Sequence, residues 1–276
     1  MTDKTQDMSA YWDRAGKVWV EQQALLDRLY QPIAKAVVDA ADPRTGEAVL
    51  DVGCGAGATT FEAAWRVGPP GRAVGVDISP ALVELARRRA GAEALEGVEF
   101  LLADAQTHAF EARFDAIVSR FGVMFFPDPV AAFANLRGAS KPGGRLAFAS
   151  WRGPEDNAIA QVPLAAAAPF LPSVPAFEKD APGRFGFADP DRVRAILEAS
   201  GWSRIEIAPL DDPTPVSFDE LLTMSLRVGP LNPILAGQDD AVRQKVRDAV
   251  TLALEPYARD GVAEMNSACW LVTAEA

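Results

Sequence analysis

The 276-residue chain carries 27 lysines and arginines against 38 acids, a formal charge of −11, with 49% hydrophobic and 24% charged residues. That is ordinary globular material with enough apolar surface for a core, and its acidic balance argues against DNA, RNA or an anionic membrane as partner. The polar start Met1-Thr2-Asp3-Lys4-Thr5-Gln6-Asp7 has no signal-peptide core, no apolar run approaches a membrane span of roughly 18 residues, and Cys54 and Cys269 stand too far apart for a disulfide framework or a metal motif. A soluble cytoplasmic protein, monomer or homodimer, is expected.

Residues 1–45 read as helical, because Trp19, Leu25, Leu26, Leu29, Ile33, Val37 and Val38 recur at three- and four-residue steps. The polar stretch before Tyr11 reads as loose. Val49–Val52 then forms an apolar strand that runs into Gly53-Cys54-Gly55-Ala56-Gly57, with helix formers from Thr59 to Arg66. Glycine at alternate positions permits a sharp turn and lets a nucleotide-like ligand lie against bare N–H groups at a helix N-terminus. Ala73–Ser79 is a second strand, and its Asp77 has the spacing of a carboxylate that accepts both ribose hydroxyls. Ser79 as N-cap and Pro80 open a helix that turns Leu82, Leu85 and Ala86 inward. Its Arg87-Arg88-Arg89 run fans around the helix and reads as a solvated face. Val98–Leu102 and Phe114–Ser119 are the third and fourth strands, and the turn Lys141-Pro142-Gly143-Gly144 leads into a fifth, Arg145–Ala149.

Beyond Ser150 the pattern changes. Six prolines between 152 and 188 break that segment into short helices and loops. Asp189–Gly201 reads as a capped helix, Ile205–Ile207 as a sixth strand, 217–260 as a helical insert and Ala268–Thr273 as the last strand. Strands alternating with helices imply a parallel sheet covered on both faces.

The pattern Gly53-x-Gly55-x-x-Ala58 alone also fits the loose dinucleotide fingerprint, which leaves a nicotinamide-dependent oxidoreductase open. The wider order is more specific. Asp51 before the glycines, Asp77 closing the second strand, Asp104-Ala105 after the third and a Pro-Gly-Gly turn before the fifth resemble the class I S-adenosylmethionine (SAM) methyltransferases. The small-molecule members that resemble the ubiquinone and menaquinone biosynthesis enzymes are the nearest in pattern. The resemblance covers Ala48 to Ser150 with a partial echo near the C-terminus. It implies a Rossmann-like doubly wound sheet of about seven strands, mostly parallel with the last antiparallel, plus helical lid insertions. The expected single domain has a cap at 1–45, a SAM-binding core at 46–150 and lids at 152–188 and 211–266 that roof the site. Residues 189–210 and 267–276 complete the sheet. The implied function is methyl transfer from SAM to O, N or C of a small apolar or aromatic acceptor. No Tyr-x-x-x-Lys pair supports the oxidoreductase, since Tyr11, Tyr30 and Tyr257 all lack Lys four residues on. A non-catalytic SAM-binding partner protein is the remaining alternative.

Candidate cofactor contacts are Asp51, Gly53, Cys54, Gly55, Gly57, Thr60, Asp77, Ile78, Ser119 and Arg120. Asp51 either orders loop amides or receives the cationic end of the cofactor. Cys54 reads as small loop filler, since no histidine lies nearby to activate it. Arg120 meets the cofactor carboxylate, the acceptor or a surface acid. The resemblance adds Asp104 and Ala105 on the adenine, and sets Tyr11, Trp12 and Trp19 beside the aromatic N-terminal elements that close over the cofactor in small-molecule members. Phe121, Met124 and Phe125 follow the fourth strand and are either core or the acceptor-pocket wall, the pocket then lying against the 152–188 and 217–260 lids. His108, the sole histidine, falls on the adenine side, so no general base is assigned, and no metal is expected.

Overall fold

The computed structural model describes residues 3–111, 113–174 and 180–276. In chain order the elements are α1 (Asp3–Glu21), α2 (Gln23–Ala41), β1 (Ala48–Val52), α3 (Ala58–Val67), β2 (Arg72–Asp77), α4 (Pro80–Ala92), β3 (Val98–Leu102) and β4 (Phe114–Arg120). After these come α5 (Pro129–Ala139), β5 (Ser140–Trp151), α6 (Ala158–Ala167), α7 (Pro190–Ala199) and β6 (Ser203–Ser217). The chain closes with α8 (Phe218–Thr223), α9 (Leu231–Ala236), α10 (Asp240–Leu254), β7 (Ala258–Arg259) and β8 (Val262–Glu275).

One mixed sheet runs β3-β2-β1-β4-β5-β8-β6, with the two-residue β7 paired to β8. The β2/β3, β1/β2, β1/β4 and β4/β5 pairs are parallel, and β8 runs antiparallel to β5. The doubly wound, mostly parallel sheet expected from the sequence is therefore present. Every residue of β1 is buried, as a central parallel strand covered on both faces must be. Leu50, Ile117, Leu146 and Phe148 pack the middle of the sheet with almost no exposure. Strand order reverses between β1 and β4, and the carboxyl ends of those strands frame the crevice where doubly wound sheets bind ligands.

Three local expectations need correction. Helix α1 begins at Asp3, so the stretch before Tyr11 is helical. It lies against α4, and Gly16 permits the approach: a Cβ there would strike the Ser79 side chain. The Lys141–Gly144 segment belongs to β5, where a register shift opposite Phe114/Ala116 absorbs Gly143 at φ +71°. Strand β6 is far longer than Ile205–Ile207, although Pro209, Pro213 and Pro215 fall inside it. It is the last strand of the sheet, and an edge strand tolerates residues that cannot donate to a ladder.

The chain divides into two compact units, 1–151 with 180–210 and 269–276, and 152–179 with 211–268. The second unit buries Val246, Val250 and Leu254 of α10, which packs on α6. Asn157 closes it, with its amide nitrogen donating to the Ala268 carbonyl and its oxygen accepting the Ala268 N–H, both at 3.1 Å. No helix among the described residues is long and apolar enough to cross a membrane.

Candidate functional site

Strand β1 ends in Asp51-Val52, and the chain turns through Gly53, Gly55 and Gly57 at φ +68°, +54° and +91°. Side chains rarely adopt that region, so the sequence must place glycine there. Gly53 has a second reason: a Cβ would lie 2.6 Å from the Gly122 Cα, in the loop that follows β4. The N–H groups of Gly53 and Cys54 donate to the Val76 carbonyl at 2.8 and 3.1 Å, which ties this turn to the end of β2.

Two carboxylates meet the turn. Asp77 accepts the Gly55 N–H at 2.8 Å on one oxygen and the Ser79 N–H at 2.8 Å on the other. Burial raises its pKa above the ordinary range, and those amides together with the Ile78 N–H oppose the rise. Asp51 is 1% exposed and accepts the Thr60 hydroxyl at 2.7 Å. Burial pushes its pKa up to about 7, the Thr60 bond and the Arg120 charge pull it back, and Asp77 adds to the rise. The negative charge next to the turn is thus costly to maintain without a cation.

The turn, α1, α2 and the end of β4 line a cleft that opens to solvent. Of the sequence candidates, Trp19, Gly53, Cys54, Gly55, Arg120 and Phe121 meet there. Phe121 stands at φ +67°, an outlier for a bulky residue, and its N–H donates to the Ala149 carbonyl at 3.0 Å. Buried Nη1 of Arg120 has no hydrogen-bond partner among the described residues, and its guanidinium lies over the Tyr30 ring, 5.7 Å from the centroid. Burial lowers the Arg120 pKa, while Asp27 and Asp51 hold it up.

Gln23, Asp27, Ala56, Thr59 and Leu82 also line the cleft, and no motif marked them. Asp27 accepts from Gln23 and from Arg89, the latter at 2.7 Å, and Arg89 donates to the Ala56 carbonyl at 2.5 Å. This corrects the solvated reading of Arg87–Arg89. Only Arg88 forms a surface pair, with Glu84; Arg87 donates to the Phe100 carbonyl at 2.6 Å, and Arg89 latches the glycine turn to α2. A run of three does fan around a helix, and here two of its directions meet backbone carbonyls.

The remaining candidates sit around this centre. The Ser119 hydroxyl donates to the Val52 carbonyl at 2.7 Å and accepts the Gly122 N–H at 3.2 Å, so it joins the two loops. Asp104 closes its own turn by accepting the Gln106 N–H at 2.9 Å, with Ala105 buried beside it. Cys54 is buried, and burial pushes its thiol well up, against a reactive thiolate. Met124 is buried, and Phe125 gathers the N-terminal rings, with Trp12 at 5.0 Å and Tyr11 at 6.4 Å. Trp12 in turn stands edge-on to Trp19 at 5.6 Å. His108 faces Phe110 and is absent from the cleft lining. Among the described residues, no three acidic, histidine or cysteine side chains gather as a metal site.

Comparison with known proteins agrees with this geometry. Residues 43–180, half of the chain, match a family model described as a methyltransferase domain. The aklanonic acid methyltransferase DauC of Streptomyces sp. (strain C5) is 38% identical over 147 residues, which span 51% of this chain and 67% of that protein. The demethylmenaquinone methyltransferase of Thermus thermophilus is 30% identical over 184 residues, 61% of this chain and 80% of that protein. The solved YcgJ protein of Bacillus subtilis is similar in fold, with a TM-score of 0.59 at 17% identity, over 89% of this chain and 98% of that one. The chain belongs to the class I SAM-dependent methyltransferases and is an enzyme with SAM as its cofactor.

Proposed function

We propose that the enzyme methylates an oxygen, nitrogen or carbon of a small aromatic or otherwise apolar acceptor, and that its own contribution is positioning. The observation that carries the cofactor assignment is Asp77, a carboxylate that bridges the Gly55 and Ser79 amides at the turn lining the cleft. Each of its oxygens keeps a lone pair for a ribose hydroxyl. Asp51, costly to ionise alone, suits the cationic methionine end, and the orphaned Nη1 of Arg120 suits that end's carboxylate. Asp104 and the Ala105 amide suit the adenine edge, with Trp19, Ile78, Thr60 and the Gly53–Gly57 backbone completing the cradle. When bound, SAM supplies a methyl group already activated on a sulfonium.

The chain then has to exclude water and align the acceptor, and holding two reactants in register contributes roughly 7–11 kcal/mol to lowering a barrier. Phe121, Met124 and Phe125 supply an apolar wall for an aromatic acceptor. DauC is named for aklanonic acid and the Thermus enzyme for demethylmenaquinone, and both names support a small polycyclic or quinonoid acceptor. The test is mass spectrometry of planar hydroxylated aromatic compounds incubated with the enzyme and SAM carrying a trideuterated methyl. An intact trideuterated methyl on a small aromatic product is expected. Label recovered only on protein or nucleic acid would overturn the small-acceptor reading.

A further inference from the structure

Arg184 lies in the loop between Asp180 and Ala188, a stretch with no recognisable motif. The loop is fixed at both ends: the Gly183 N–H donates to the Met124 carbonyl at 3.0 Å, and Phe187 is buried against Phe133 and Phe148. This holds the Arg184 guanidinium over the Trp151 ring, its Cζ 4.0 Å from the centroid. Trp151 stacks on Phe121 at 4.7 Å, and Tyr30 stands edge-on to both. Phe121 also lines the cofactor cleft. Two stacked rings, Trp151 and then Phe121, therefore stand between Arg184 and the cleft.

The surroundings of this cation are unbalanced. Its Nε is buried without a hydrogen-bond partner among the described residues. The groups that share its electrostatic environment are Tyr30, whose phenol burial pushes above its ordinary range, and Cys269, and burial lowers the Arg184 pKa. No described carboxylate forms an ion pair with it. Arg120, with Nη1 likewise unpartnered, lies over Tyr30 and adds a second positive charge. A buried charge with unmet donors costs free energy that an anionic partner restores. A guanidinium presents a planar fork that fits a carboxylate in two parallel hydrogen bonds.

We propose that Arg184 binds a carboxylate carried by the acceptor, with Tyr30, Phe121 and Trp151 as the aromatic frame for the ring system bearing it. The inference rests on the methyl-transfer reading and narrows its acceptor to planar acids. Trp151 and Phe121 position the ring, and Arg184 fixes its rotation, so that one acceptor atom faces the cofactor.

The experiment titrates anthraquinone-2-carboxylate, and separately its carboxamide, into the full chain saturated with S-adenosylhomocysteine. The carboxylate is expected to bind at least about tenfold more tightly, a difference of about 1.4 kcal/mol. Arg184→Gln should abolish that preference and leave S-adenosylhomocysteine affinity within about twofold, while Arg184→Lys retains part of it. Equal affinities in the wild type, no binding of either probe, or a preference that survives Arg184→Gln would overturn the proposal. Failure of S-adenosylhomocysteine to bind the wild type would remove the underlying reading as well. Stability supplies the second arm. Arg184→Met should hold or raise Tm, since it removes a half-buried cation whose Nε has no partner among the described residues, and a fall of more than about 5 °C would make Arg184 a structural cation instead.

Discussion

In the turn after β1, two glycines leave no room for an added atom, since Gly53 faces the Gly122 Cα and Gly57 faces Phe61 and Phe100. Gly55 faces open space and is held by its positive φ and by Asp77, which takes the Gly55 and Ser79 amides. In the second unit, α10 packs on α6 and buries Val246, Val250 and Leu254, side chains whose volume matters more than their identity. The first region is specified by backbone conformation and hydrogen-bond direction, the second by the filling of space. Cores accept apolar swaps of similar volume for less than about 1.5 kcal/mol, whereas strained or sterically closed backbone positions do not. Chemistry that needs a fixed backbone should therefore be intolerant of single atoms, and packing should not.

The largest effect expected from this contrast is at Gly53. Gly53→Ala puts a methyl group on the Gly122 Cα and forces a positive φ on a side-chain-bearing residue. It should cost about 3 kcal/mol or more in chemical denaturation, or displace the turn and abolish SAM binding. Leu254→Met in the second unit, which conserves volume, should cost less than about 1.5 kcal/mol in the same assay. Similar losses at both positions would erase the distinction.

Asp77→Ala comes next. Losing a charge-assisted pair to two hydroxyls should weaken SAM by one to two decades, about 1.4–2.8 kcal/mol, in calorimetry. Unchanged affinity would leave Asp77 a loop-organising residue only.

Asp51 then gives a pH signature. Its folded pKa of about 7 lies above the unfolded value near 3.9, so the folded state holds the extra proton between those limits. Stability from this group is thus present at low pH and lost as pH rises toward about 7, at up to about 1.4 kcal/mol per unit, and is flat above. Cofactor binding runs the other way. The ionised form suits a cationic ligand, so SAM affinity should rise as pH rises through about 7 and level off beyond. Asp51→Asn should flatten both curves between pH 5 and 8. A curve as steep in Asp51→Asn as in the wild type would assign the dependence to another group.

The smallest effect is expected at His108, which packs on Phe110 and is absent from the cleft lining. His108→Ala should leave turnover within a few fold. A loss of about 10²–10⁴ would make it the general base and contradict catalysis by positioning.

The same contrast explains how far the sequence could be read. The glycines, Asp51 and Asp77 were legible because the backbone they serve admits few other residues. The mostly parallel sheet covered by helices followed from strands alternating with helices. Asp27, Gln23 and Arg89 were not legible, since their roles arise where α2 and α4 meet the turn and no local spacing records that meeting. Strand β6 was underestimated because its three prolines argue against a strand unless its edge position is known. Arg184 was invisible for a related reason. Its significance lies in the carboxylates that are missing around it among the described residues, and a missing partner leaves no motif.

In the proposed complex, SAM occupies the crevice at the ends of β1 and β4 with its ribose on Asp77. A crystal structure of the enzyme with S-adenosylhomocysteine is the decisive test. Both ribose hydroxyls are expected within about 2.6–3.2 Å of the Asp77 carboxylate while its bonds to the Gly55 and Ser79 amides persist. A ligand whose ribose lies elsewhere, with Asp77 bonded only to those two amides, would contradict it.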